Sequence, residues 1–184
     1  MKYFILILSF ILSIISPTYT FSYDELISKL QSGGNIVFIR HALAPGNGDP
    51  HNIDLNNCNT QRNLSKIGIE QSKRIGLFFE INNIPIDKVL SSEWCRCKDT
   101  AKYAFKHFKT FNGLNSFYDE KFSKFKKKQI KDLQKYIKEW DGNKNLILVT
   151  HYVVILEMLN IGASSGEIVI TNKHYGIIGS IDTL

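Results

Sequence analysis

Two short stretches of the chain are apolar without interruption: Ile36-Val37-Phe38-Ile39, led by Asn35, and Leu146-Ile147-Leu148-Val149, between Asn145 and Thr150. A strand with one wet face alternates apolar and polar residues. An unbroken run therefore predicts a strand covered on both faces, as in a mostly parallel sheet flanked by helices. Lys88 to Ser92 reads as a shorter strand lying between these two in sequence.

The segments around these strands have helical spacing. Tyr23 to Gln31 predicts a short amphipathic helix stopped by Gly33-Gly34. Ser65 is a helix N-cap, and Ile67, Gln71, Ile75, Phe78 and Phe79 fall on one face of the helix it opens. Thr100 to Phe108 and Val153 to Leu159 predict two more helices. Lys121 to Trp140 predicts a long one with Phe122, Phe125, Leu133, Ile137 and Trp140 on its inner side. Glu167 to Ile170 and Tyr175 to Ile181 read as a closing hairpin. Strands alternating with helices predict an α/β fold, a three-layer α/β/α sandwich with a mostly parallel central sheet. The polar stretch from Arg40 to Arg62, with Pro45, Gly46, Gly48 and Pro50, is too long for a simple connection and predicts a functional loop.

The first segment stands apart from this pattern. Lys2, the apolar run Phe4 to Ile15 and the small residues Thr18 and Thr20 read as a secretory signal over residues 1–20. The run is short of the ~20 apolar residues that span a bilayer, so no stable membrane insertion is expected after cleavage. Residues 21–184 then form a single domain, periplasmic or secreted, starting near Phe21. Export permits a disulfide. Cys95 and Cys97 would point to opposite sides of an extended segment, so Cys58 can pair with either one. Their spacing matches no zinc-ligand pattern.

A formal net charge of +6 attracts anions. No nucleic-acid-binding motif accompanies it. The run Lys124, Lys126, Lys127, Lys128, Lys131 and Lys135 reads as the solvated face of an amphipathic helix, with a polyanion or anionic surface as the functional alternative.

Polar residues follow each buried strand: Arg40-His41 the first, Arg96 shortly after the second, His151 the third. In a parallel sheet these are the carboxyl ends, where ligands bind. Two guanidiniums grip a phosphoryl group in bidentate fashion. One neutral imidazole can attack phosphorus, and a second can donate to a phosphoryl oxygen as charge develops. A carboxylic acid must then protonate the leaving oxygen.

Ile36 to Ala42, with Arg40-His41-Ala42 at its end, resembles the Arg-His-Gly signature of the histidine phosphatase superfamily, the phosphoglycerate mutase-like proteins. Leu64-Ser65-Lys66-Ile67-Gly68-Ile69-Glu70-Gln71 is similar to the family's Leu-Thr-x-x-Gly-x-x-Gln helix start. Ser91-Ser92-Glu93-Trp94-Cys95-Arg96-Cys97-Lys98-Asp99-Thr100-Ala101 resembles its Ser-x-x-x-Arg-x-x-x-Thr-Ala element, and Leu148-Val149-Thr150-His151 its second histidine. Ala42 stands where Gly is usual, and Tyr152 where Gly is frequent. The resemblance implies a phosphoglycerate mutase-like fold and hydrolysis of phosphomonoesters without metal or cofactor. His41 would be the phosphorylated nucleophile and His151 its catalytic partner. Arg40, Arg96 and Asn47 would bind the phosphate. The proton donor would be Asp119 or Glu120, with Asp49 in the first loop as a competitor. The short segment between Arg96 and His151 leaves little room for the insertion that mutases use. The expected substrate is a small-molecule or surface-glycan phosphate ester. The alternative is a catalytically silent phosphate- or polyanion-binding envelope protein of the same fold.

Overall fold

A computed structural model describes residues 22–184. The expected signal segment, residues 1–20, and its expected cleavage point lie outside the described residues. Ser22 caps the first helix, α1 (Tyr23–Ser32), through a reciprocal capping box with Glu25. Then come β1 (Ile36–Arg40), α2 (Lys66–Ile81), β2 (Ile86–Ser91), α3 (Cys95–Phe105), β3 (Lys109–Thr110), α4 (Glu120–Ser123), α5 (Lys126–Glu139), β4 (Asn145–Thr150), α6 (Tyr152–Leu159), β5 (Ile168–Thr171) and β6 (Ile177–Ile181).

The strands form one sheet in the order β3-β2-β4-β1-β5-β6. The pairs β1/β4, β4/β2 and β2/β3 are parallel, and β5 and β6 close the sheet as antiparallel strands. Both faces are covered, as the unbroken runs predict. Val37, Ile39, Ile147 and Val149 pack with α1, α2 and α3 through Leu30, Ile75, Phe79 and Ala101. Ile36, Phe38, Leu146 and Leu148 pack with α5 and α6 through Leu133, Ile137, Val154 and Ile155. Each strand thus sends alternate side chains into two separate cores.

Several boundaries differ from the sequence expectations. Helix α3 starts at Cys95, well before Thr100. No side chain of its own caps it; the Cys95 N–H donates to Gln61 Oε1 in the first loop at 2.9 Å, a partner that local pattern cannot reveal. The predicted helix from Lys121 to Trp140 is broken between α4 and α5, where the Phe125 N–H bonds back to the Phe122 carbonyl. The break turns Phe125 outward (45% exposed), while Phe122 stays against the core. Ile67 is 60% exposed, and the buried face of α2 is Gly68, Gln71, Ser72, Ile75 and Phe79. The two-residue strand β3 has no apolar pattern to announce it.

Because α3 starts early, Cys95 and Cys97 lie in its first turn rather than on an extended segment. They still diverge: Cys95 is disulfide-bonded to Cys58, and Cys97 is buried as a free thiol. The bridge fastens the first loop to the helix that carries Arg96. The other end of that loop is pressed against α2 at Gly68, where a Cβ would stand 2.1 Å from the Leu43 carbonyl oxygen. The same carbonyl accepts the Ser65 N–H at 3.0 Å. Lys124, in the break before α5, and Lys127, Lys128, Lys131 and Lys135 on α5 are exposed, and Lys126 pairs with Glu157 of α6.

Candidate active site

The parallel register brings the carboxyl ends of β1, β4 and β2 side by side. Arg40 pairs with Thr150 in register, the His41 N–H donates to the Thr150 carbonyl at 2.9 Å, and the Ser92 N–H to the Val149 carbonyl at 3.0 Å. His41 and His151 therefore meet, with ring centroids 5.5 Å apart. Arg40, His41, Asn47, Asp49, Arg96, Asp119 and His151 line one small cavity of about 120 Å³. Glu120 does not. It faces a neighbouring depression with His51 and Lys121. Arg62 does line the cavity, although in the sequence it is only the end of a polar loop.

The two imidazoles are 2% and 3% exposed. Burial, then the Arg96 charge, holds both well below the usual histidine pKa, so both rings are neutral at pH near 7. Their partners assign the tautomers. His41 Nδ1 lies 2.8 Å from the Ala42 carbonyl oxygen, which can only accept, so Nδ1 carries the hydrogen and Nε2 holds a lone pair. His151 Nε2 lies 2.8 Å from Ser92 Oγ, which itself donates to Asn115 Oδ1. Asn115 Oδ1 also takes the Glu93 N–H, which fixes the amide's orientation. His151 therefore donates from Nε2, and its Nδ1 faces Arg96 Nη2 at 3.5 Å. In the neutral ring Nδ1 is an acceptor. It becomes a donor to a phosphoryl oxygen only by taking up a proton.

Three guanidiniums converge. Arg40 Nη1 donates to the Ala163 carbonyl at 2.8 Å, and its carbon stands 5.5 Å from the Tyr152 ring centre. Arg62 Nε donates to the Gly48 carbonyl at 2.9 Å and its Nη1 to the Ala44 carbonyl. Burial lowers the pKa of both without discharging them. Arg96 forms a bidentate pair with Asp49, at 2.8 and 3.0 Å. The Nε–H groups of Arg40 and Arg96 are buried with no protein partner. Unpaired donors on buried cations are costly, and an oxyanion is the ligand that would satisfy them.

The carboxylates differ. Burial pushes the Asp49 carboxyl up, but the Arg96 hydrogen bonds and charge, the Arg62 N–H and Trp94 together bring it below the ordinary value. It stays an anion, which makes it a poor acid. Asp119 is half-buried at the mouth of the cavity, its Oδ1 3.7 Å from where a Cβ on Gly48 would lie. Asn47 Nδ2 donates to the Tyr118 hydroxyl at 3.1 Å, joining the first loop to the segment that carries Asp119. Burial pushes the Cys97 thiol up to about 12, so it is no nucleophile although its sulfur is 3.4 Å from His151 Nε2. Among the described residues no group of three or more His, Cys, Asp or Glu is arranged to hold a metal ion.

No family model and no curated protein matches the chain. Solved structures do. The protein histidine phosphatase SixA in complex with tungstate superposes with a TM-score of 0.57 at 14% identity, over 81% of this chain and 97% of that one. A mycobacterial glucosyl-3-phosphoglycerate phosphatase gives 0.52 at 14%, over 80% and 95%. The protein TTHB049 from Thermus thermophilus gives 0.59 at 12%, over 80% and 99%. The chain thus shares the fold of these proteins, a phosphoglycerate mutase-like α/β sandwich.

Proposed function

We propose that this protein is a histidine phosphatase that hydrolyses phosphomonoesters through a phosphohistidine at His41, without metal. The observation that carries the reading is the His41 Nδ1 bond to the Ala42 carbonyl, which leaves the Nε2 lone pair among three guanidiniums. SixA, of the same fold, holds tungstate, an oxyanion.

In this reading Arg40, Arg62 and Arg96 bind the phosphoryl oxygens, and Asn47 holds the first loop over them. The Nε2 lone pair forms a bond to phosphorus as the ester P–O bond breaks. The departing oxygen takes its proton from the Asp119 carboxyl. An ester that enters as the monoanion can pass its phosphoryl proton to His151 Nδ1, turning that nitrogen into a donor as charge builds. Water then attacks the phosphoimidazole, gives a proton to the Asp119 carboxylate, and the P–N bond breaks to restore His41. A cavity of about 120 Å³ is below the ~300 Å³ at which pockets enclose whole drug-sized ligands. It takes the phosphoryl group and leaves the rest of a small-molecule or surface-glycan ester outside, near the exposed Tyr118 and Tyr152. The bridge between Cys58 and Cys95 supports a working place outside the cytoplasm.

The test is phosphate release from an aryl phosphate by wild type, by His41→Ala, and by wild type in chelator. Release that survives chelator and disappears in the variant is expected. Loss in chelator would overturn the metal-free route. Oxyanion binding without any release would favour the silent binding protein instead.

A further inference from the structure

Asp49 is a carboxylate with no capacity to spare. Its side chain is 2% exposed. Oδ1 accepts from Arg96 Nη1 at 2.8 Å and from the Arg62 N–H at 3.0 Å. Oδ2 accepts from Arg96 Nη2 at 3.0 Å and from Trp94 Nε1 at 3.1 Å. Four donors fill the roughly four lone-pair sites of a carboxylate. Such a group neither needs a proton nor has a vacant place to carry one.

The way it engages Arg96 leaves a defined remainder. A guanidinium offers two parallel pairs of N–H bonds, one from Nη1 with Nη2 and one from Nε with Nη2. Asp49 takes the first. The Nε–H stays unpaired, and the second hydrogen of Nη2 is directed to His151 Nδ1 at 3.5 Å. The Nε edge, with one unpaired N–H and an Nη2 hydrogen held only by that long contact to His151, is therefore the edge a phosphoryl group can take, on the side of the imidazole. The loop that carries Asp49 cannot drift from Arg96. The bridge between Cys58 and Cys95 and the Gln61 bond to the Cys95 N–H fasten it to the residue next door.

Charge alone argues against this residue. A carboxylate beside an anion site repels the anion. Resting on the reading of the cavity as a phosphate site, we infer that Asp49 is a positioning residue. It fixes the roll of the Arg96 guanidinium so that the Nε edge meets the phosphoryl group, and it gives up no proton.

The two roles of Asp49 have opposite signs, which makes the test sharp. Tungstate affinity by titration calorimetry, and kcat/KM on an aryl and an alkyl phosphate, are compared for wild type, Asp49→Asn and Asp49→Glu. Thermal melts confirm that each variant is folded, and Asp49→Glu carries the comparison if Asp49→Asn fails to fold. Loss of a charge-assisted pair should weaken tungstate about 10- to 100-fold in Asp49→Asn, although a negative charge has been removed. Asp49→Glu keeps the charge but displaces it, and should also bind more weakly than wild type. The two esters should lose kcat/KM in equal proportion. Unchanged or tighter tungstate binding in Asp49→Asn overturns the inference, as does wild-type binding in Asp49→Glu. A loss confined to the alkyl ester would make Asp49 the acid instead. A wild type that binds tungstate but hydrolyses nothing defeats the proposed function, while the calorimetry still decides the role of Asp49. A wild type that binds no oxyanion defeats both.

Discussion

Two buried neutral histidines make stability fall steeply in mild acid. In the unfolded chain each titrates near 6.5. In the fold, burial and the Arg96 charge hold His41 and His151 well below that. The unfolded state therefore binds more protons as pH drops below about 6.5, and stability is lost on the way down. With both rings neutral in the fold, each contributes ~0.2 kcal/mol of loss at about pH 7 and ~1.4 kcal/mol at about pH 5.5. The pair should cost about 2–3 kcal/mol across that interval, a large share of the ~5–15 kcal/mol that holds a domain folded. Asp49, with a depressed pKa, also loses stability toward acid, but only as pH falls through the carboxylate range. Asp99, raised by burial, works in the opposite direction. Urea unfolding at the two pH values measures the difference directly. His41→Asn and His151→Asn should each remove about half of the pH dependence, whatever they cost at neutral pH. A wild type equally stable at both, or variants that keep the whole loss, would refute neutral burial of these rings.

The bridge between Cys58 and Cys95 spans a sequence separation of 37. Replacing both cysteines by serine should lower stability by about 4 kcal/mol on the chain-entropy account, and the melting temperature by roughly 8–16 °C in differential scanning calorimetry. Protein taken from its own host should carry this bridge and start near Phe21; an intact mass retaining Met1 and free thiols would contradict export. Asp119→Asn should slow alkyl phosphate hydrolysis by ~10²- to 10⁴-fold and aryl phosphate hydrolysis far less, in steady-state kinetics. Glu120→Gln, outside the cavity, should leave both near wild type; a leaving-group-dependent loss there would move the acid to Glu120.

The sheet was the most legible part of the fold. Ile36–Ile39 and Leu146–Val149 each feed two cores, which excludes polar residues from both faces and writes the strand into the sequence without ambiguity. Helix beginnings were less legible wherever the cap came from afar. Ser65 caps α2 with its own hydroxyl on the Gly68 N–H at 3.1 Å, and was readable. Cys95 is satisfied by Gln61 across the loop, and was not. Ile67 shows the limit of periodicity. Near a helix start its apolar side chain lies along the expected stripe, yet the first loop approaches α2 at Gly68 instead and leaves Ile67 to solvent.

The site divides along the same physical line. Arg40, His41 and His151 are placed by strand ends, and a parallel register guarantees that strand ends meet. Arg96 sits one residue after a cysteine in the first turn of α3, close enough to β2 for the same logic to reach it. Arg62 and Asp49 belong to no strand end. What brings them in is closure of the long loop onto α3 by a disulfide, a glutamine and an ion pair, none of which has a local signature. This closure also explains why the sequence left three carboxylates in contention for one role. The resemblance offers Asp49, Asp119 and Glu120 as candidates for the acid, but the structure separates them by which carboxylate already holds a cation. Asp49 is held by Arg96, Glu120 faces away from the cavity, and Asp119 alone stands at its mouth without an ion pair among the described residues.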